Sequence, residues 1–195
     1  MLLNELLVHK KIILASNSPR RKQFLSDLNI AFEVKPSNVD ESYPDSFQKE
    51  AITDHIAKMK ADFFTELHKN EIIIACDTIV WNDDKALGKP ENFEEAFEML
   101  KSLSGKTHLV ISSVCLKDAV KTKIFNDTTR VTFSNLNDEE ITYYIDNYKP
   151  YDKAGAYGIQ EWIGLVAIQK IEGSYTNVVG MPMEKLYTNL SDFIQ

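Results

Sequence analysis

The run Ile72-Ile73-Ile74-Ala75-Cys76, followed at once by Asp77, constrains this chain more than any other feature. A short unbroken apolar run rich in isoleucine fits a strand covered on both faces. The stretch from Glu71 to Trp81 is therefore expected to be the central strand of a sheet. Such a strand needs helices above and below it, and the rest of the chain must supply them. The run also poses a chemical problem. An acid directly after it lies buried or at the mouth of the strand, where a carboxylate is costly unless paired, hydrogen-bonded or bound to metal. Asp77 is either a site residue or an acid capping the turn at the strand's end.

The remaining elements follow from periodicity and caps. Lys11 to Ser16 reads as a second buried strand, and Ser18-Pro19 as an N-cap with proline in the first helical turn. The helix it opens buries Phe24, Leu25 and Leu28 and ends near Asn29. Ile52, Ile56, Met59, Phe63 and Leu67 predict a helix over 46–69, and Phe93, Ala96, Phe97, Leu100 and Leu103 predict another, stopped by Gly105. Strands are expected over 107–116 and 123–133. Asn137 and Glu140 make a capping-box start to a helix with Ile141, Tyr144, Ile145 and Tyr148 on its buried stripe, ended by Pro150. A hairpin is expected from 165–171 and 174–179 around Glu172-Gly173, and a last helix from Pro182 to about Phe193. The class is mixed α/β. With no linker, repeat or low-complexity tract, one domain is expected over 1–195.

Charge narrows the function. The formal net charge is −7, which argues against the broad basic face that duplex nucleic acid demands. No window resembles a membrane helix, and the first eleven residues lack the order of a signal peptide, so a cytoplasmic protein with no membrane partner is expected. Cys76 and Cys115 lie in apolar runs at no metal-ligand spacing and read as reduced core thiols. An acidic protein can still bind a phosphate-rich small molecule if it gathers its cations locally.

They gather in a few places. In Ala15-Ser16-Asn17-Ser18-Pro19-Arg20-Arg21, a strand runs into a helix start, with two hydroxyls and two guanidinium groups around the free backbone N–H groups. That suits an anion, although a capped helix with solvated arginines has the same sequence. Gly88-Lys89-Pro90, Lys60 within a helical stretch, and Glu41 in Val39-Asp40-Glu41 are each weak alone and read equally as solvated charges. Tyr151 to Gln160 sets glycines and alanines among aromatics. This is either a turn packed on the core or a tight loop against something flat, with Gln160 able to donate to and accept from a base edge.

Together these segments resemble the Maf family of nucleotide pyrophosphatases, once described as septum-formation inhibitors. Ala-Ser-Asn-Ser-Pro-Arg-Arg, Cys-Asp-Thr-Ile-Val, Leu-Gly-Lys-Pro, Leu-Ser-Gly-Lys-Thr-His and Asp-Lys-Ala-Gly-Ala-Tyr-Gly-Ile-Gln occur in the family's order and spacing. The resemblance implies a mixed sheet with flanking helices, in two lobes around a cleft, similar to inosine-triphosphate pyrophosphatases. It implies hydrolysis of a nucleoside triphosphate between its α and β phosphates, with water and a divalent cation, Mg²⁺ or Mn²⁺. By motif, Asp77 matches the residue assigned as proton acceptor, and Arg20, Thr78 and Gln160 match positions linked to substrate choice. Ser16, Arg21, Lys60 and Lys89 match polar or cationic positions around the phosphates, and Glu41 an acid near the metal, which Asp77 would also bind. The motif pairing resembles the branch acting on dTTP and UTP. A homodimer is compatible with the family likeness. Two alternatives stay open: the same chemistry on 7-methyl-GTP or inosine triphosphate, and a regulator of cell division that senses a nucleotide without cutting it.

Overall fold

The computed structural model describes residues 2–195. In chain order they form α1 (Leu3–Leu6), β1 (Lys11–Leu14), α2 (Pro19–Asp27), β2 (Phe32–Val34), α3 (Glu50–Asp62), β3 (Glu71–Asn82), β4 (Lys85–Leu87) and α4 (Phe93–Leu103). There follow β5 (Thr107–Lys117), β6 (Thr122–Phe133), α5 (Asp138–Tyr148), a single 3₁₀ turn (Ala154–Ala156), α6 (Trp162–Val166), β7 (Ile168–Glu172), α7 (Tyr175–Val179) and α8 (Met183–Phe193). The strands make one seven-stranded mixed sheet in the order β2-β1-β3-β5-β6-β7, with β4 paired to β3. The mixed α/β class expected from the sequence is the class observed. Among the described residues no helix is long and apolar enough to cross a membrane.

The chain divides into two compact units, and the division falls within β3, β5 and β6. The first unit comprises Met1–Asp77, Ser112–Asp127 and Gly180–Gln195. Here β1 pairs in parallel with β2 and with β3, so that Ile12, Ile13 and Leu14 lie beside Ile72, Ile73 and Ile74. Side chains alternate across a strand. Ile12, Leu14, Ile72, Ile74 and Cys76 accordingly join Leu3, Leu25, Leu186, Leu190 and Phe193 in one core cluster, under α1, α2 and α8. Ile13, Ala15, Ile73 and Ala75 join Ala57 and Ala61 of α3 in a second cluster. Burial on both faces is why these strands read as continuous apolar runs. Alanine on both sides of the second contact lets α3 lie close to the sheet.

The second unit comprises Thr78–Ile111 and Thr128–Val179. A two-residue turn joins β3 to β4, with Asp83 (φ 47°) and Asp84 (φ 57°) both left-handed, the form whose twist matches a hairpin. Helices α4 and α5 pack together and bury Ala96, Leu100, Leu103, Ile141, Tyr144 and Ile145.

Three sequence expectations need correction. The helix expected over 46–69 is confined to Glu50–Asp62. Lys49 is left-handed (φ 51°) and stops it at one end, and Phe64 and Leu67 pack on the core from an irregular segment beyond the other. The expected hairpin over 165–179 is absent. The first part of the segment forms α6, which leaves Leu165 exposed, and β7 pairs antiparallel with β6 instead. The residues expected to form its second strand form α7, because Ser174 Oγ accepts the Asn177 N–H at 3.3 Å and caps a helical turn. The buried Asn177 side chain then donates to Val110 O and Thr129 Oγ1, both at 3.0 Å, and a strand would not deliver it there. The buried stripe of α5 is shorter than expected, with Tyr148 partly exposed.

Candidate active site

In the first unit, β1 ends at Leu14 and the chain turns through Ser16 into α2. The Ser18 hydroxyl caps α2 by accepting the Arg21 N–H, and the Ser18 N–H donates to Ser16 Oγ at 3.2 Å. Arg21 is committed to the protein. Its Nε donates to Gly180 O at 3.0 Å, and its Nη1 donates to Cys76 O at 2.8 Å and to Ser16 Oγ at 3.2 Å. One guanidinium thereby ties together the segment after β1, the middle of β3 and the segment before α8. A planar fork with fixed donors suits that task. Arg20 is half-buried in the first turn of α2.

Asp77 is 7 % exposed and Lys60 is 8 % exposed. Strand alternation explains how they meet. Asp77 has the parity of Ile73 and Ala75, the residues that face α3, and Lys60 lies beside Ala57 and Ala61 on the buried side of that helix. Lys60 Nζ lies 2.8 Å from Asp77 Oδ1 and 3.0 Å from Oε1 of Glu41, which stands on the loop between β2 and α3. Reading Lys60 as a solvated surface charge is thus excluded. Its ammonium is shared by the two carboxylates that the sequence singled out.

The chemistry of this donor set suits a hard divalent cation. Two carboxylates converge on the Lys60 ammonium, and Mg²⁺ typically takes one or two carboxylates, with substrate phosphates and water completing its shell. Among the described residues no group of three or more His, Cys, Asp and Glu side chains is gathered as a metal cage.

The second unit holds Thr78, half-buried on β3, and Lys89 and Gln160, both exposed. The backbone around them is braced. Gly155 donates its N–H to Gly88 O at 2.9 Å, which ties the Ala154–Ala156 turn to the residue before Lys89. Gly155 is left-handed (φ 67°), and a Cβ there would lie 2.7 Å from Val80 Cγ2, so only glycine fits. Tyr157 is buried, and its hydroxyl lies 2.8 Å from His108 Nε2. Burial lowers the His108 pKa to about 4, which keeps the ring neutral, and burial raises that of the Tyr157 phenol. Sequence reasoning missed His108 as an anchor, although it ends the Leu-Ser-Gly-Lys-Thr-His motif. A lone histidine carries no local sign of its partner.

A family model described as "Maf-like protein" matches residues 11–193. The chain is 54 % identical over 194 residues to a protein of Flavobacterium johnsoniae named dTTP/UTP pyrophosphatase, covering 99 % of this chain and 100 % of that one. It is 55 % identical over 181 residues to one of the same name from Flavobacterium psychrophilum, covering 92 % and 93 %. Among solved structures, a HAM1 protein from Coxiella burnetii shares the fold, with a TM-score of 0.53 at 16 % identity over 94 % of this chain and 99 % of that one. Near-complete coverage and identity above one half leave one conclusion: this chain belongs to the Maf family.

Proposed function

We propose that this protein hydrolyses dTTP and UTP, with water, to the nucleoside monophosphate and pyrophosphate. The substrates follow from the full-length likeness to proteins named dTTP/UTP pyrophosphatase. The observation that carries the reaction class is the buried Lys60 ammonium shared by Asp77 and Glu41. A carboxylate kept that far from water, with one partner fixing its orientation, is suited to directing a water molecule and taking its proton.

In this reading Asp77 accepts the proton of the attacking water, and Lys60 holds the carboxylate in one orientation. Arg20 and Lys89 bring positive charge to the triphosphate, where little beyond charge neutralisation and alignment is required. Arg21 and Ser16 shape the α2 start that receives a phosphate, Arg21 by holding the backbone as well as by its charge. Asp77 and Glu41 would hold Mg²⁺ or Mn²⁺. When bound, such an ion neutralises phosphate oxygens and lowers the pKa of a coordinated water. Thr78 and Gln160 meet the carbonyl and imide edge shared by uracil and thymine. A site built on such hydrogen bonds rejects a mismatched base strongly.

The family likeness also favours a cytoplasmic homodimer, which light scattering of the purified protein would test. The decisive experiment for the function is a panel of nucleoside triphosphates, read as pyrophosphate release with Mn²⁺ or Mg²⁺ and again with EDTA. Fastest turnover of dTTP and UTP, abolished by EDTA, is expected. Fastest turnover of GTP, ATP or a purine analogue would reject the substrate assignment, and no pyrophosphate from any nucleotide would reject the enzyme.

A further inference from the structure

The loop that carries Gln160 is closed at both ends by a largely buried polar junction. Lys153 Nζ lies 3.0 Å from Glu161 Oε1, and the Lys153 side chain is only 10 % exposed. The other oxygen of the same carboxylate, Oε2, accepts the hydroxyl proton of Tyr144, which is fully buried on α5. The Tyr144 oxygen in turn accepts the N–H of Gly158 at 2.9 Å. The backbone passes tightly over this junction, since a Cβ on Gly158 would lie 2.9 Å from both Glu161 Cδ and Lys153 Cε. Lys153 also reaches Asp152 Oδ1 at 2.6 Å, and the Glu161 N–H donates to Gly158 O at 3.0 Å. Gln160 therefore sits between two residues whose backbone the junction fixes.

Apolar packing would close such a loop without desolvating a lysine, a glutamate and a phenol. What the polar junction delivers is a single backbone course through Gln160, whose side chain is itself exposed, and base recognition by glutamine starts from where the backbone puts it. A free carboxamide can turn over, offering donor then acceptor to uracil, or acceptor then donor to cytosine. Only a glutamine whose backbone is held in fixed register brings its carboxamide to a base edge at the distance its hydrogen bonds need.

We propose that the Lys153–Glu161–Tyr144 junction positions Gln160 and thereby sets discrimination of uracil and thymine against cytosine. This rests on the reading of Gln160 as a base contact. Tyr144 and Glu161 are positioning residues and touch no reacting atom.

The test compares kcat and KM for UTP and CTP in the wild type and in Glu161→Gln, Glu161→Ala, Tyr144→Phe and Gln160→Ala. Glu161→Gln keeps an acceptor for Tyr144 and removes the charge facing Lys153, so it remains informative if the alanine variant does not fold. Misplacement by a fraction of an ångström is expected to lower the UTP-over-CTP ratio of kcat/KM by roughly tenfold, mainly through KM for UTP. Gln160→Ala should lower it at least as far. A ratio flattened by Gln160→Ala but unmoved in folded Glu161→Gln and Tyr144→Phe overturns the junction's role alone. A ratio unmoved by Gln160→Ala overturns the base contact, and the junction's role with it.

Discussion

Lys60 Nζ stands 2.8 Å from Asp77 Oδ1, and both side chains are nine-tenths shielded from water. A pair so placed can be broken from either side, and the two breakages differ. In the role proposed for Asp77, removing the carboxylate charge removes the proton acceptor, whereas removing the ammonium strands a buried anion beside Glu41.

Asp77→Asn should retain the fold and bind nucleotide with little change in affinity. Its kcat is expected to fall by about 10²–10⁴-fold, the usual weight of a lost proton acceptor. Steady-state kinetics with a separate measurement of nucleotide binding would check this, and unchanged turnover would reject the assignment.

Lys60→Met should cost about 3–5 kcal/mol of stability, the typical penalty for an unpaired buried charge. The double variant Lys60→Met/Asp77→Asn should recover much of that loss, because the uncompensated carboxylate is gone. Denaturant unfolding of the three proteins decides it. A double variant no more stable than Lys60→Met would show that the ammonium matters for some other reason.

Arg21→Lys keeps the charge but cannot reach the Gly180, Cys76 and Ser16 oxygens with one planar group. A drop of about 1–3 kcal/mol in unfolding free energy is expected, with KM for UTP raised. Arg20→Lys should raise KM at little cost in thermal stability. Equal thermal shifts in the two variants would contradict the distinction between them.

The neutral His108 makes stability depend on pH. Its folded pKa of about 4 lies below the ordinary value of 6.5, so between those values the unfolded chain takes a proton that the folded chain refuses. Stability should therefore fall as pH drops from 6.5 towards 4, by up to roughly 3 kcal/mol from this group. His108→Gln keeps a partner for Tyr157 and removes the titration. Unfolding free energies between pH 4 and 7 should give a shallower slope for that variant, and parallel slopes would refute the assignment.

Much of the fold was legible because β3 and β1 carry apolar residues on both faces, and because Ser18 and Asn137 cap helices by local chemistry. Asp77 was legible for the same reason, as an acid placed where apolar burial should forbid it. Lys60 was not. A lysine on an amphipathic helix looks solvated until strand alternation and the small residues Ala57 and Ala61 bring its stem against the sheet. Tyr144 was read as core, which it is, but the partners of its hydroxyl lie 14 and 17 residues away along the chain. The failed hairpin over 165–179 has the opposite cause. Its β-branched run favours a strand locally, yet the hydrogen bonds of Asn177 to Val110 and Thr129 outweigh that preference.

The first unit is assembled from three stretches separated along the chain, the last beginning at Gly180. Leu186, Leu190 and Phe193 are among the side chains that cover Ile72, Ile74 and Cys76. During synthesis the greasiest strand of the molecule must then wait, incompletely shielded, until residues 180–193 have left the ribosome. A nascent chain stalled before that point would be a natural client for chaperones.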